Sequence, residues 1–275
     1  MKLDAVSQFK VLVVGDAIYD RYRFCDPQGR ATKEAVISVV VNKEEEYQGG
    51  VWASARHILD LCKTVDVWHG DKATINTKYI GRYNQKLFSV HEKRVCSATK
   101  PLPIADYDVV IVFDYGHGFL TLDLREKLMQ EAKFLAVNAQ TNSSNYGFNR
   151  INEKWRRADF VVIDEPEARL AAHEAEAPIE DVISKLFYNN IIVTMGAIGA
   201  IGYSGGEFYR GQAMNRRPVD LLGAGDAVLA VTAPFAAAGF PMRDLLYLGN
   251  AAGAIKVGIL GHQSYITKSQ LEGYL

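Results

Sequence analysis

Cysteine is scarce in this sequence and follows no recognisable spacing. The chain has three cysteines among 275 residues, and Cys25, Cys62 and Cys96 form no CxxC pair. Disulfide frameworks usually have an even number of cysteines, and cysteine-bound zinc sites have closely spaced pairs of them. We therefore expect neither here, and we interpret the three residues as buried or free thiols in a reducing compartment.

An excess of charge of one sign is also missing. The 31 Lys and Arg residues nearly balance the 32 Asp and Glu residues, which leaves a formal net charge of -1 at pH 7. Proteins that bind nucleic acid through their overall field are usually strongly basic. The balance of charges therefore gives no reason to expect nucleic acid as a partner.

Long apolar runs are absent as well. The longest run, residues 227–240, is interrupted by Thr232 and Pro234 and is shorter than the ~20 residues that a membrane-spanning helix needs. The first residues, MKLDAVSQFKVLVVGD, contain no apolar segment followed by a small-residue cleavage site, so we expect no signal peptide. Together these absences predict a cytoplasmic protein that has no membrane partner.

Several enzyme motifs are missing too. The chain has no P-loop pattern GxxxxGK[ST], and its stretch TMGAIG is not GxGxxG, so two common nucleotide-binding folds lose support. Its six histidines form no HExxH pair. The stretch GYSGG (residues 202–206) matches the hydrolase pattern GxSxG, but EFYRG follows it and is typical of a strand rather than a helix. We therefore interpret GYSGG as a hairpin turn and not as a nucleophile elbow around Ser204.

What the sequence does contain is an alternation of apolar runs and helix-like segments. KVLVVGD (residues 10–16) and YDVVIVFDYGHG (residues 107–118) each resemble a buried parallel strand. VWASARHILDL (residues 51–61) has helical spacing, and Thr121 is a candidate N-cap. This alternation predicts an α/β fold with a mostly parallel central sheet flanked by helices, in a single domain over residues 1–275. Residues 22–47 lack helical spacing and predict a small β excursion that acts as a lid.

Ligands of such sheets bind beyond the C-terminal ends of the strands. Four polar residues lie at or just after predicted strand ends, namely Asp16, Asp114, Asp164 and Thr194. Because parallel strands end at one edge of the sheet, we expect these residues to border one site.

The stretch GAGD precedes a long apolar helix. The free N–H groups at a helix N-terminus favour an anion, and Gly223 and Gly225 would let the backbone approach a phosphate closely. Phosphoryl transfer also needs a base near the attacking hydroxyl, and Asp226 is placed to be that base. An equally good interpretation is that Asp226 only caps the helix or complements its dipole.

Two further stretches admit two interpretations each. DEPE puts Asp164 and Glu167 at a strand-to-helix junction, where they would either organise Mg²⁺ through water or favour the helix N-terminus. TMGAIG (residues 194–199) is the end of a predicted strand followed by glycines. It would either approach a nucleotide triphosphate or form a plain turn.

Taken in order, these motifs resemble a known family. DLLGAGDAVLA is similar to the C-terminal signature of the ribokinase-like (PfkB-type) carbohydrate kinases, and GD with Asp20 shortly after it, QGG, DYGHG, IDEPEARLA and IVTMGAIG occur in the order of that family. The segments RATKEAVISVV (residues 30–40) and GNAAGAIKVGILGH (residues 249–262) look most like the sugar-kinase domain of bifunctional ADP-heptose synthases. The resemblance covers nearly the whole chain and implies a ribokinase-like fold whose reduced β lid is formed by about residues 20–48 and 76–92.

The resemblance implies a kinase that uses ATP and Mg²⁺ to phosphorylate a hydroxyl of a sugar or sugar phosphate, of the heptose-phosphate kind. It also implies a homodimer formed through the lid and a nucleotidyltransferase as a partner. The site residues implied by position are Asp226 as general base; Gly223, Ala224 and Gly225 as anion hole; Asp16, Asp20, Gly49, Gly50 and Asp114 around the sugar; Thr194, Gly196, Gly199 and Asn250 at the nucleotide; and Glu167 and Asp164 near Mg²⁺.

The sequence departs from the family on the side of the sugar. Ala53 stands where the family usually has an asparagine, Asn76 and Lys78 replace a lysine and an arginine, and Leu222 replaces a hydroxyl residue before GAGD. Two hypotheses follow. The first is an active kinase with a shifted substrate, and the second is a catalytically weak relative that binds a ligand or serves as a scaffold. The retained Asp226 favours the first, because an unused charge near a core is costly, whereas the loss of the asparagine, lysine and arginine contacts favours the second.

Overall fold

The structure is a computed structural model that describes residues 2–30, 33–34, 36–94, 96–97, 103–141, 145, 147–215 and 217–275. Its strands are β1 (Lys10–Gly15), β2 (Ala17–Arg30), β3 (Ile37–Gly50), β4 (Thr64–Trp68), β5 (Thr74–Ile80), β6 (Lys86–Glu92), β7 (Val109–Asp114), β8 (Leu135–Ala139), β9 (Phe160–Asp164), β10 (Asn190–Thr194), β11 (Gly199–Ser204) and β12 (Glu207–Gln212). Its α-helices are α1 (Val51–Arg56), α2 (Leu122–Glu131), α3 (Ile151–Lys154), α4 (Glu165–Ala172), α5 (Ile179–Ser184), α6 (Ala224–Ala237), α7 (Met242–Lys256) and α8 (Lys268–Glu272).

Eight strands form the main sheet in the order β12-β11-β10-β9-β8-β7-β1-β4. The pairs from β10 to β4 are parallel, whereas β11 and β12 are antiparallel additions at one edge. Every residue of β7 is buried, as expected of a strand that is covered on both faces. The predicted α/β class with a mostly parallel central sheet is therefore confirmed.

Helices cover both faces of this sheet. On one face, Val11 and Val13 of β1 belong to a core that includes apolar side chains of α1, α6 and α7. On the other face, Leu12 and Val14 pack in a second core with side chains of α2, α4 and α5. Alternate residues of one strand thus enter different cores, because successive side chains of a strand point to opposite faces.

A smaller sheet stands beside the main one and is called the lid sheet here. Its order is β3-β2-β5-β6, in which β2 pairs antiparallel with β3 and parallel with β5. The expected lid ranges, residues 20–48 and 76–92, fall on these four strands. The expected lid segment 30–40 includes residues 31, 32 and 35, which lie outside the described residues.

Local expectations had mixed outcomes. Thr121 is the N-cap of α2, and its side chain accepts a hydrogen bond from the Leu124 N–H at 3.3 Å. GYSGG spans the last three residues of β11 and the two-residue turn, Gly205 and Gly206, that leads into the antiparallel strand β12. A strand follows the turn, which rules out the strand–turn–helix geometry of a nucleophile elbow. The expected helix over residues 51–61 was too long, because α1 ends at Arg56 and tight turns follow it.

No helix in the described ranges combines the length and the apolar character that a bilayer span requires.

Candidate active site

A cavity of about 510 Å³ opens beyond the C-terminal ends of the parallel strands, beside α6 and α7. Ten of the residues singled out from the sequence line it, namely Asp164, Glu167, Thr194, Gly196, Gly199, Gly223, Ala224, Gly225, Asp226 and Asn250. They come from four separate stretches of the chain. The structure thus brings together the residues expected at the phosphate, the nucleotide and Mg²⁺.

The GAGD stretch forms the N-terminus of α6 at one end of this cavity. Gly223 is the N-cap and has φ 71° and ψ 14°, a left-handed conformation that favours glycine. Helix geometry leaves the N–H groups of Gly225 and Asp226 without an intrahelical acceptor. A Cβ added to Gly225 would meet no atom within 4 Å, so there is open space beside these donors. The helix N-terminus can therefore accept an anion.

Asp226 lies in the first turn of α6, but it is not the cap, and the N-cap residue makes no side-chain hydrogen bond. The hydroxyl of Tyr115 donates to Asp226 Oδ2 at 3.0 Å. Burial raises the pKa of the Asp226 carboxyl, while the Tyr115 hydrogen bond and the charges of His262 and Lys256 act in the opposite direction. The net shift is upward. Asp226 is therefore an oriented carboxylate with a raised proton affinity, which suits a general base.

Glycine backbone and apolar side chains form much of the wall of the cavity. Thr194 ends β10, and Ile192, Val228 and Leu246 add apolar surface to the cavity. A Cβ on Gly199 would lie 2.1 Å from the Gly211 carbonyl oxygen, so a side chain cannot fit there. Apolar walls with a few backbone groups are typical of sites for planar organic ligands.

The DEPE stretch forms a capping box at the start of α4. Asp164 Oδ1 accepts from the Glu167 N–H, and Glu167 Oε2 accepts from the Asp164 N–H, both at 2.8 Å. Glu167 Oε1 accepts from the Thr141 N–H at 3.1 Å, so both of its oxygens are engaged. Burial, with the nearby charge of Asp164, raises the pKa of Glu167 to about 8.

Asp164 is the better candidate for a cation contact, because it is exposed at the cavity wall. Within the described residues, His, Cys, Asp and Glu form no group of three or more that could hold a metal ion. An exposed carboxylate beside a phosphate site fits Mg²⁺ that keeps water and phosphate ligands.

The residues expected around the sugar lie elsewhere, in a buried polar group outside the lining of the cavity. Asp20 is at its centre, because its Oδ1 accepts from Lys78 Nζ at 2.7 Å and its Oδ2 lies 3.2 Å from His262 Nε2. Burial alone would raise the pKa of Asp20, but His262 and Lys78 outweigh it and lower this pKa to about 2. A Cβ on Gly49 would lie 2.2 Å from Asp20 Oδ2, which explains the glycine.

Asp16 and Asp114 support the loop that carries Tyr115. Asp16 accepts from the backbone N–H groups of Tyr115 and Phe119 at 3.1 and 3.2 Å. Burial, with the charge of Asp114, raises the pKa of Asp16 to about 6. Asp114 accepts from the Trp155 indole N–H at 3.0 Å. These carboxylates therefore fix the position of the hydroxyl that orients Asp226.

Gly50 is the last of the residues that were expected around the sugar. It has φ 55° and is the N-cap of α1, and a Cβ there would lie 2.6 Å from the Asp16 carbonyl oxygen. The glycine pair thus brings the end of the lid sheet against the loop after β1.

Three residues of the site were missed from the sequence. Tyr115 lies within DYGHG, where the sequence pointed only to Asp114, and neither His262 nor Lys256 was expected at the site. A signal existed for Lys256, since it is a lone charge within the apolar stretch GNAAGAIKVG. No local signal connects Tyr115 to Asp226, which is 111 positions away.

Comparisons with known proteins agree with these features. A family profile described as pfkB family carbohydrate kinase matches residues 75–268. The chain is 27% identical over 316 residues to D-beta-D-heptose 7-phosphate kinase of Bordetella bronchiseptica, which covers 98% of this chain and 97% of that protein. It is 28% identical over 303 residues to the bifunctional protein HldE of Shewanella piezotolerans, which covers 94% of this chain but 62% of that protein.

A solved structure supports the fold. Arabidopsis thaliana ribokinase complexed with ribose and ATP superposes with a TM-score of 0.70 over 97% of this chain and 98% of that one, at 14% sequence identity. At this identity the likeness shows a common fold alone. The positions of the bound ribose and ATP describe that ribokinase and not this chain.

Proposed function

Because the chain belongs to the pfkB family of carbohydrate kinases, we propose that it transfers the γ-phosphate of ATP to a hydroxyl of a sugar phosphate of the heptose-phosphate class. The observation that carries the proposal is the open N-terminus of α6, where free N–H groups and the Asp226 carboxylate stand side by side at the end of the cavity. The substrate class is supported by the name of a relative that matches nearly the whole chain.

The nucleotide occupies the cavity in this proposal. Its base lies against the apolar wall, and its phosphates run from the segment between Thr194 and Gly199 towards Gly225. The N–H groups at the start of α6 hold the γ-phosphate oxygens and stabilise the charge that they carry during transfer.

Asp226 accepts the proton of the attacking hydroxyl. The hydroxyl oxygen then forms a bond to the γ-phosphorus, the bond from that phosphorus to the β–γ bridging oxygen breaks, and ADP leaves. The hydrogen bond from Tyr115 holds the carboxylate in place. The proton on Asp226 is released to water afterwards.

Mg²⁺ supplies neutralisation of the phosphate charge when it is bound. Asp164 would hold it through water, and Glu167 would fix the orientation of Asp164 through the capping box. The contribution of Glu167 is thus to position Asp164, because both of its own oxygens accept backbone hydrogen bonds.

The acceptor lies between the cavity and the buried group formed by Asp16, Asp20, Gly49, Gly50 and Asp114. The lid sheet would cover it.

Exposed apolar side chains on that sheet support a homodimer through the lid, namely Ile37, Val40, Val41, Phe88 and Val90. A bifunctional relative extends beyond the matched part, and we also propose a nucleotidyltransferase as a partner. The proposed location is the cytoplasm, where ATP is available.

One observation favours the second hypothesis of a weak catalyst that binds a ligand. Asp20 is 3% exposed, and Lys78, His262 and Asn76 all contact its carboxylate. A sugar hydroxyl would have to displace one of these partners to bind Asp20. A protein of this kind would bind a nucleotide without phosphoryl transfer.

Calorimetry separates the two hypotheses. We expect Mg-ATP to bind the protein, and one member of a panel of sugar phosphates to bind more tightly in the presence of a non-hydrolysable ATP analogue. ADP and a phosphorylated sugar should then appear when Mg-ATP replaces the analogue. Nucleotide binding without product would favour the ligand-binding hypothesis. A folded protein that binds no nucleotide would contradict the kinase and leave only the scaffold form of the second hypothesis.

A further inference from the structure

Lys256 is a fully buried lysine at the end of α7. Its side chain is 0% exposed and lies next to the site. Its Nζ donates to the carbonyl oxygen of Gly261 at 2.9 Å, which is a neutral acceptor. Because burying an ammonium group is costly, such a residue needs compensating interactions.

The position of Lys256 relates it directly to the phosphate cradle. Its Cε lies 3.4 Å from the point where a Cβ on Gly223 would stand, and Asp226 Oδ2 lies 3.9 Å from the same point. His262 Cε1 is 3.5 Å away. The lysine side chain therefore packs against the back of the glycine that begins α6, on the side where Asp226 and His262 also lie.

Three carboxylates act electrostatically on this ammonium group. Asp220, Asp226 and Asp20 each favour its charged form, although burial lowers the pKa of Lys256 overall. Asp220 Oδ2 accepts from the N–H of Gly261 at 3.1 Å. Lys256 and Asp220 thus hold the two polar groups of Gly261, next to His262.

We infer that Lys256 is a positioning residue for phosphoryl transfer, whose buried positive charge attracts both the γ-phosphate in the cradle of α6 and the carboxylate of Asp226. The inference rests on the proposed function and adds a charge to the site that neither the helix N-terminus nor Mg²⁺ provides. Lys256 acts through Gly223 and Asp226 and does not touch the substrate.

The charge should be visible in the pH dependence of the reaction. Four groups change the pKa of Asp226, namely Tyr115, His262, Lys256 and Asp20. The charge of Asp226 in turn raises the pKa of Glu167. Lys256 lowers the pKa of Asp226, so its removal raises that pKa. A general base must be deprotonated, and the acid limb of the kcat/KM profile should therefore move to higher pH.

The experiment compares Lys256→Met with Lys86→Met. Lys86 is a matched control, because its Nζ lies 3.2 Å from Asp220 but it does not pack against Gly223. For Lys256→Met we expect kcat/KM to fall about 10-fold, below the 100-fold or more of a direct oxyanion contact, and the acid limb to shift upward. Binding of adenylyl imidodiphosphate should weaken more than binding of ADP, because only the former has a third phosphate. Lys86→Met should leave the limb and this ratio unchanged.

The outcomes separate this inference from the proposed function. If Lys256→Met leaves the acid limb unshifted and weakens the binding of both nucleotides equally, Lys256 is only a structural contact. A wild-type protein that phosphorylates no sugar phosphate would overturn the proposed function, and the nucleotide comparison would still test the charge of Lys256. If Lys256→Met unfolds, Lys256→Gln replaces it, because an amide keeps a donor for Gly261 and removes the charge.

Discussion

Asp226 owes its properties to three neighbours from distant parts of the chain. Tyr115 donates to its carboxylate at 3.0 Å, and His262 and Lys256 oppose the rise in pKa that burial causes. A carboxylate that is free in water has no such neighbours and no fixed orientation. At the scale of the single residue, the site thus holds the Asp226 carboxylate in a fixed orientation and raises its proton affinity.

Replacing this carboxylate gives the most direct test of the proposed mechanism. We expect Asp226→Asn to fold normally and to lose at least ~100-fold in turnover, the scale of general-base catalysis. Asp244→Asn is the matched control, since Asp244 also lies in the first turn of a helix, α7, and is not among the residues that line the cavity. Steady-state kinetics with circular dichroism would check both. Near-wild-type turnover of Asp226→Asn would eliminate Asp226 as the base.

The GAGD stretch could be predicted from the sequence because its parts are adjacent. Two glycines and an aspartate in four residues place the free N–H groups and the carboxylate together whatever the rest of the fold does. The hydroxyl of Tyr115 could not be predicted in this way, because its approach depends on how Asp16 holds the loop after β7.

At the scale of the element, α4 shows that two interpretations of one sequence can hold together. The capping box of Asp164 and Glu167 is present, as the interpretation in terms of helix capping predicts. Asp164 is also exposed at the cavity wall, as its proposed contact with Mg²⁺ requires. One carboxylate can start the helix with one oxygen and face the ligand with the other.

A pair of substitutions separates these two contributions. Asp164→Ser keeps a capping oxygen, so we expect its free energy of unfolding to stay near that of the wild type, whereas Asp164→Ala should lose about 1 kcal/mol. Both variants lack the carboxylate, so both should need more Mg²⁺ for half-maximal activity. Urea unfolding and Mg²⁺ titrations measure the two effects. Equal Mg²⁺ requirements in all three proteins would restrict Asp164 to capping.

Strands were easier to predict than helix ends. Apolar β-branched runs such as residues 10–16 identify buried strands because little else in a protein has that pattern. The helix expected over residues 51–61 shows the limit. Tight turns after Arg56 keep the buried residues Ile58 and Leu61 on the core side, so the spacing of apolar residues does not distinguish them from a continued helix.

At the scale of the whole molecule, the N-terminal and C-terminal parts of the chain are joined by buried polar contacts. Asp20 contacts Lys78, 58 positions away, and His262, 242 positions away. His57 Nδ1 accepts from the Ile266 N–H at 3.1 Å. The order of motifs predicted the fold class, but it could not predict these pairs, since nothing in a local pattern identifies a partner so far along the chain.

His57 should make the folded state sensitive to acid. Burial, aided by the charge of Lys256, lowers its pKa to about 3, while an unfolded chain protonates histidine near 6.5. The stability from the neutral ring is fully present above pH ~6.5 and is lost as the pH falls towards 3. Between pH 7 and 5 this contribution falls by about 2 kcal/mol, at ~1.4 kcal/mol per pH unit below the unfolded pKa.

Urea unfolding of a His57→Gln variant checks this expectation. Glutamine can still accept from Ile266 and does not titrate, so the variant should lose less stability than the wild type between pH 7 and 5. His173→Asn is the control, because His173 is exposed and ends α4 with φ 55°, a conformation that asparagine tolerates. Equal pH dependence in wild type and His57→Gln would contradict the expectation.

The contact between Asp20 and His262 also bears on how the protein is made. A ribosome delivers His262 242 positions after Asp20, at ~5–20 residues per second. Before Lys256 and His262 are made, Asp20 has only Lys78 and Asn76 as partners, and the Lys256 charge behind the cradle is missing. The site therefore forms only after all twelve described strands have been made, and a ribosome that stalls just before Lys256 releases a chain that has these strands but an incomplete centre for phosphoryl transfer.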